Sequence, residues 1–583
     1  MLRNTFKSFL FFYKYTGKKI YLVFLMNLIS GLFESIGILM IFPLLSSIEN
    51  ANEKNINPDS ENTLAENFIF SLFDYLNIDF NVNNTLLIMS LVIVFKGLFM
   101  FLAGSLNAFL RVGIYKDIKT VLFSKIVGLD YQLFIKKNSG YYSDLITEQV
   151  NKTIQAYQTL ITSITKAIEA LIYIVFVVLI SWKFGAMVVA SGLIIIALFM
   201  RINQFVYRLS RIFTSKSSES LSLTIQSLSA YKYILATGLV EKISTKVHDT
   251  YKTISKLELK KSIASNFSKA IHEPILILIL VSVILIQINY LGEKLTAMIV
   301  SLVILYRAIN SMLYLQSSFQ TFLSTLGSVE IIKDELIIKH TEINDHNTMK
   351  SYEVKNINIK KNLLISFENV SFRYNSTEKS VLKNINTEIF VNDKIALSGA
   401  SGVGKSTFIN LITGILVPTN GKIIRLNRLN EILSCAEWKK DIGFISQEPI
   451  IFEGTIRQNI TLDFNKKNFI NDPDLSYLEN VIEISNLKQF LSGLEDGLET
   501  FVGENGAELS GGQKQRIFIA RELFKKPKIL IMDEATSALD EKMEKSILKR
   551  IFSIDYLTII TVNHRKSSLR FCNKTIDIEN FVK

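Results

Sequence analysis

Six stretches in the first 330 residues are long enough, and nearly free enough of charge, to cross a bilayer as helices. A hydrocarbon core of about 30 Å needs about 20 apolar residues at a rise of about 1.5 Å each. The stretches lie near Ile20–Ile48, Thr85–Leu110, Leu160–Trp182, Phe184–Met200, Phe267–Leu291 and Leu295–Phe322. The rest of the 583-residue chain reads like an ordinary soluble domain, so the expected fold is an all-α six-helix membrane domain followed by a soluble domain.

The formal net charge of +12 could suit nucleic acid, and its placement argues otherwise. Arg3, Lys7, Lys14, Lys18 and Lys19 occur with no acid among the first nineteen residues. Glu49–Asp79 holds seven acids and only Lys54. By the positive-inside rule the N-terminus is cytoplasmic and the acidic loop external, and no nucleic-acid partner is expected. Residues 1–19 read as an interfacial amphipathic helix rather than a signal peptide, because no small-residue cleavage site follows. Cys435 and Cys572 are the only cysteines and offer neither a disulfide framework nor zinc spacing.

Short or acidic linkers alternate with long basic ones. Residues 111–157 and 201–265 keep helical periodicity through polar sequence, so the membrane helices are expected to continue into the cytoplasm. Each ends in a turn suited to touching a cytosolic partner, at Leu129–Ile146 and Ser227–Lys242. The expected domains are therefore 1–19, a six-helix region at 20–330, a linker at 331–363 and a soluble domain at 364–583. That last domain opens with alternating strand patterns, "LISFENVSFRY" and "VLKNINTEIFVNDKIALSG".

The second strand pattern runs into Gly399-Ala-Ser-Gly-Val-Gly-Lys-Ser406, which fits G-x-x-x-x-G-K-[ST] between a strand and a helix. Such a loop turns backbone N–H groups toward phosphate oxygens at a helix N-terminus. Gly399, Ser401, Gly402, Gly404, Lys405, Ser406 and Thr407 are the phosphate-site candidates, with Ser406 also a Mg²⁺ ligand. Later, "KILIMDEATSALD" reads as a buried strand delivering Asp533 and Glu534 at its C-terminal end. Asp533 suits the metal shell, and Glu534 suits a general base for water.

"LSGGQ" at 509–513, with "SALD" beyond the acidic pair, resembles the signature and D-loop of the ABC transporter family. The resemblance implies an α/β P-loop ATPase domain with an α-helical signature subdomain, ATP and Mg²⁺ as cofactors, and ATP hydrolysis coupled to transport. It implies that Ser510, Gly511, Gly512 and Gln513, with Asp540 of the D-loop, serve the nucleotide of an opposing domain. A chain carrying one loop and one signature then works as a homodimer, or with a different partner chain. By the same resemblance Tyr374 stacks on adenine, Gln447 contacts metal and senses the membrane domain, and His564 contacts the γ-phosphate. "TFVGENGAELS" is similar to the exporter type of this family. The family's usual C-terminal run is shortened here to "IDIENFVK".

Ionisable residues inside spans mark functional sites by default. Among these are Glu34, Lys96, Glu273 and Arg307, with Lys96 and Arg307 at about 17 and 18 Å from the outer ends of their spans. Pairing of Glu34 with Lys96 and of Glu273 with Arg307 would fix helix packing. Alternatively, Lys96 and Arg307 line a cavity and favour an anionic headgroup. "FESIGILMIFPLL" and "YRAINS" look like exporters or flippases of lipids, lipid-linked oligosaccharides and glycolipids, although Asn310 replaces a usual proline. Export of a mature peptide or drug-like amphiphile is the alternative, and an ATP-gated channel or sensor a remoter one. The expected location is the inner, or plasma, membrane, with both termini cytoplasmic.

Overall fold

The computed structural model describes residues 2–41, 44, 71, 73, 75, 81–180, 182–286, 295–337, 360–374, 379–464, 475–562 and 569–582, with the side chains of 295–299 left aside. The acidic loop expected outside, most of the linker, Pro43 and His564 fall outside these residues. The chain divides into two compact units, Met1–Gly128 with Lys137–Lys339, and Leu129–Lys136 with His340–Lys583.

The first unit is helical. Helix α1 (Leu2–Thr16) buries Ser8, Phe12 and Thr16 on one face while Phe6, Lys7, Leu10 and Lys14 stay exposed. Gly17, at φ +56°, turns the chain into α2 (Lys19–Leu39). The long helices α3 (Val82–Val127), α4 (Ser139–Ile180) and α5 (Trp182–Ser229) follow. Next come α6 (Val240–Ala270), α7 (His272–Ile286) and α8 (Leu295–Ile337).

Among the described residues five helical segments are long and apolar enough to cross a membrane: α2, α3, α4, α5 and the α6–α7 pair. The sixth expected span falls on α8. The interruption between α6 and α7 has a local cause in Pro274. Proline has no N–H to bond the carbonyl four residues back and its ring crowds that carbonyl, so the ladder breaks near Ile271.

Two apolar cores hold the helices together. One gathers Phe12, Ile20, Ile114, Tyr157, Phe322 and Leu326, and the other Val177, Phe184, Val188, Ile304, Leu305 and Ile309. Elsewhere large apolar side chains point outward, including Val94, Phe101 and Phe109 on α3 and Leu193 and Ile196 on α5. Such an exposed apolar mantle is stable only against lipid.

The second unit carries two sheets. An antiparallel sheet has the order β2 (Leu382–Phe390), β1 (Leu363–Phe372), β4 (Asn420–Arg425). A parallel sheet has the order β5 (Ile442–Ile445), β6 (Ile529–Asp533), β7 (Thr558–Val562), β3 (Lys394–Ser398), β8 (Lys574–Asp577). The central strands "ILIM" and "TIITV" are buried throughout, as a parallel sheet covered on both faces requires. The phosphate-loop helix α9 (Lys405–Thr413) packs Phe408, Leu411 and Ile412 into the core beneath β1 and β3. A second core, around the helix α10 (Gly511–Phe524) and α11 (Glu541–Phe552), joins Ile517, Ile519, Leu523, Ile547 and Leu548 to the other face of the parallel strands.

Candidate functional site

Strand register brings the candidate residues to one edge. In β5 and β6 Ile445 stands opposite Met532, so two residues further on Gln447 and Glu534 leave the sheet side by side. In β6 and β7 Asp533 stands opposite Val562, and Val562 is also opposite Leu397 of β3, just before the glycine loop. Every strand therefore ends its C-terminal side at the same crevice, where open α/β sheets bind ligands.

The loop itself needs glycine. Gly399, Gly402 and Gly404 have φ of +137°, +79° and +111°, a region that side-chain-bearing residues avoid. Gly404 is the N-cap of α9, so Lys405 and Ser406 begin the helix and its free N–H groups face the loop. The Lys405 ammonium donates to the carbonyl oxygens of Gly399 at 2.7 Å and Ala400 at 3.1 Å, folded back across the cradle it closes. Thr407 Oγ1 lies 3.2 Å from the Tyr374 hydroxyl, and the Tyr374 ring stands edge-on to Phe372 with centroids 4.9 Å apart. Tyr374 is thus anchored beside the loop at its polar tip and its edge.

Asp533 and Glu534 sit in contrasting environments. Burial and the neighbouring Glu534 carboxylate raise the Asp533 pKa above the ordinary carboxylate value, with Lys405 opposing them. Glu534 accepts a hydrogen bond from Gln447 Nε2 at 2.8 Å, and its N–H donates to the Val562 carbonyl at 3.0 Å. Its φ of +49° is a left-handed conformation that costs a non-glycine residue roughly 1–2 kcal/mol.

The donor set fits a hard divalent ion. Among the described residues no group of three or more His, Cys, Asp and Glu forms a protein cage. A hydroxyl at Ser406, an amide at Gln447 and the crowded Asp533 carboxylate would offer a sparse oxygen set of the kind that suits Mg²⁺ when phosphates supply the remainder.

The residues 509–513 form a separate structure. Ser510 caps α10 in a capping box, its Oγ accepting from Gln513 N at 3.3 Å while its own N–H donates to Gln513 Oε1 at 2.7 Å. A side chain at Gly512 would bring its Cβ to 3.3 Å from the Ala538 carbonyl oxygen, so glycine lets the "SALD" segment lie close. Asp540 caps α11 by accepting from Met543 N at 2.9 Å. Among the described residues no hydrogen bond joins Ser510, Gly511 or Gly512 to the Gly399–Thr407 loop.

Three supporting residues escaped the sequence reading. Gln515, fully buried, accepts from Ala538 N at 3.0 Å and ties the signature helix to the "SALD" segment. Arg521, 2% exposed, donates to the carbonyls of Ile450 and Asn459 at 2.6 and 2.5 Å and to Asn459 Oδ1 at 2.7 Å, holding the segment after Gln447. Its pKa is lowered to about 10 by burial. Glu579, just past β8, accepts from Ala400 N at 2.8 Å. An arginine eight residues past a signature, or an acid two residues past β8, has no local pattern to mark it.

In the helical unit Glu34 lies between two cations. Its carboxylate is 2.9 Å from Lys96 Nζ and 3.4 Å from Arg307 NH1. Arg307 thus turns to Glu34 rather than to Glu273, which is exposed and forms no ion pair among the described residues. The pairing of Glu273 with Arg307 is replaced by a shared carboxylate because α2 and α8 bring those side chains to one place.

A family model described as the ABC transporter transmembrane region matches residues 20–314, and one described as ABC transporter matches residues 382–537. A multidrug resistance ABC transporter ATP-binding and permease protein of Lactococcus lactis is 27% identical over 478 residues, covering 80% of this chain and 77% of that protein. An ATP-dependent lipid A-core flippase of Cupriavidus metallidurans is 33% identical over 214 residues, 36% of each chain. The fold is similar to that of a bacterial Atm1-family ABC exporter solved with ATP bound, with a TM-score of 0.73 at 19% identity over 97% of this chain and 94% of that one.

Proposed function

Starting from the fact that this chain belongs to the ABC transporter family, with an exporter-type membrane region and one ATPase domain in a single polypeptide, we propose that it exports an anionic amphiphile. ATP hydrolysis coupled to transmembrane transport is the activity of the family. The finer reading concerns how the residues divide the work and what is carried.

In this reading Tyr374 packs on the adenine, and the Gly399–Thr407 loop with Lys405 holds the phosphates. Ser406, Asp533 and Gln447 hold Mg²⁺, which draws charge from the phosphates when bound. Glu534 takes the proton from the attacking water, and His564 meets the γ-phosphate. The Gln447 amide holds the Glu534 carboxylate before nucleotide arrives, which supports a role for Gln447 in positioning the base. Ser510, Gly511 and Gly512, with Gln513 and Asp540 behind them, serve the nucleotide of a second copy. Two chains then form two equivalent sites by two-fold symmetry. ATP binds the closed pair more tightly than the open one, and hydrolysis resets the cycle. The protein spans the inner membrane several times with both termini in the cytoplasm.

The observation that carries the cargo reading is the Glu34 cluster: two cations share the Glu34 carboxylate among apolar helices. Arg307 is 47% exposed there, so it is free to meet an anionic group while still touching Glu34. A cation that only shares a carboxylate in a membrane gains from a visiting anion. The relatives named for lipid A-core and multidrug transport are consistent with amphiphilic cargo. Protein reconstituted in sealed vesicles and assayed against acidic lipids, lipid-linked sugars, peptides and cationic drugs tests it. Lys96→Gln/Arg307→Gln should reduce the ratio of acidic-lipid-stimulated to basal ATPase at least tenfold. An unchanged ratio, or stimulation confined to neutral or cationic drugs, overturns the reading.

A further inference from the structure

Outside both sites, a cavity of about 340 Å³ lies between α1 and the C-terminal turn of α8. Its walls carry three lysines, Lys7, Lys14 and Lys333, beside Leu10, Phe11 and Leu336. Among the described residues none of these lysines lies within ion-pair distance of a carboxylate. Two neighbouring acids are engaged elsewhere: Glu330 accepts from Asn4 and Tyr207 at 3.0 and 2.8 Å, and Glu335 accepts from the Tyr141 hydroxyl at 2.6 Å and pairs with Lys137. Asp117 acts on Tyr15 of the wall without reaching ion-pair distance of a lysine, so three like charges around one cavity repel one another and favour an anion from outside.

The position of the cavity says which anion. Helix α1 ends only three residues before α2, the first membrane segment, and presents Phe6 at 63% and Leu10 at 49% exposure on its free side. Such a helix lies in the headgroup layer with its apolar residues among acyl chains. The lysines then meet the layer where phosphates are concentrated, and the apolar wall continues into the lipid.

We propose that the cavity between α1 and α8 is a binding site for one acidic phospholipid per chain. Its headgroup phosphate is held by Lys7, Lys14 and Lys333, and its chains lie along Leu10 and Phe11. The site is remote from the Glu34 cluster in sequence and in its lining, and does not depend on the cargo reading. A lipid there bridges the first helix of the membrane unit to the last turn of α8, so it stabilises that junction by simple mass action.

Native mass spectrometry of the full-length protein in detergent, titrated with phosphatidylglycerol, phosphatidylcholine or free glycerol phosphate, tests this directly. Wild type should retain one phosphatidylglycerol per chain at low lipid, with phosphatidylcholine and glycerol phosphate at least tenfold weaker. Lys7→Gln/Lys14→Gln/Lys333→Gln should weaken phosphatidylglycerol on the order of a hundredfold, about fivefold per lysine. Lys242→Gln/Lys246→Gln/Lys252→Gln, removing the same charge from the exposed face of α6, should leave it unchanged. If the first triple variant folds poorly, the single variant Lys14→Gln and the all-arginine version decide: the former should lose about fivefold and the latter bind as wild type. Equal loss in both glutamine triples reduces the effect to net charge and overturns the site. So does retention by the first triple, or equal binding of glycerol phosphate.

Discussion

The two units treat charge in opposite ways. In the nucleotide unit like charges are gathered at strand ends, Asp533 beside Glu534 with Lys405 opposing them. In the membrane unit Glu34 is already shared by Lys96 and Arg307. The difference follows from the solvent. A crevice open to water can keep two carboxylates close until a metal and phosphates enter, whereas a charge among lipid-facing helices needs a partner at all times. Function is therefore visible as crowded like charges in one unit and as a shared carboxylate in the other.

The sharpest separation comes from two conservative glutamine changes. Glu534→Gln keeps the size and hydrogen-bonding reach of the side chain and removes its basicity. ATPase turnover of the reconstituted protein should fall on the order of a thousandfold, while ATP binding and thermal stability persist. A residue whose loss lowered stability but left turnover intact would be structural, and the contrast between the units would fail.

Glu34→Gln should do the reverse. It strands Lys96 and Arg307 without their carboxylate, and a fully buried pair broken in this way loses about 3–5 kcal/mol. Arg307 is 47% exposed and Lys96 28%, so solvent screening reduces the expected loss to about 1–2 kcal/mol. A scan of thermal unfolding in the presence and absence of ATP reads it: the midpoint should drop by a few degrees, with the shift produced by ATP retained. Lys96→Met added to Glu34→Gln should recover part of the drop. No drop at all would mean the cluster holds nothing together and serves only the cargo.

The same contrast explains what could be read from residues alone. The glycine loop, the strand carrying Asp533 and the signature are contiguous runs whose backbone geometry is dictated locally, by positive φ at Gly399, Gly402 and Gly404 and by the capping box at Ser510. The parallel register then brings Gln447 to Glu534 with little freedom, because both leave adjacent strands at matched positions. Nothing local specifies Arg521 or Gln515, whose partners at Ile450, Asn459 and Ala538 are set by packing between loops. In the membrane unit the charged residues were legible as anomalies in apolar runs. Their partners were not, since helix rotation decides whether Arg307 meets Glu34 or Glu273, and an apolar run with a weak moment does not fix rotation. The cavity beside α1 was invisible for a related reason: Lys7, Lys14 and Lys333 converge only after the first and last helices of the unit meet.

The smallest expected effect tests the electrostatic half of the comparison. Asp533 keeps its proton to a higher pH in the folded protein than in the unfolded chain, because burial and Glu534 disfavour its charge. Over the interval between the ordinary carboxylate value and the raised one, the folded state binds more protons, so nucleotide-free stability should fall slightly as pH rises. In the proposed metal role Mg²⁺ would need the ionised form, so its binding should move the other way and strengthen across that interval. Isothermal titration of Mg²⁺–nucleotide at several pH values should therefore show proton release on the acidic side, absent in Asp533→Asn. Release that persists in that variant would assign the proton to another group, and the crowding of the two carboxylates would lose its role as the feature that draws the metal in.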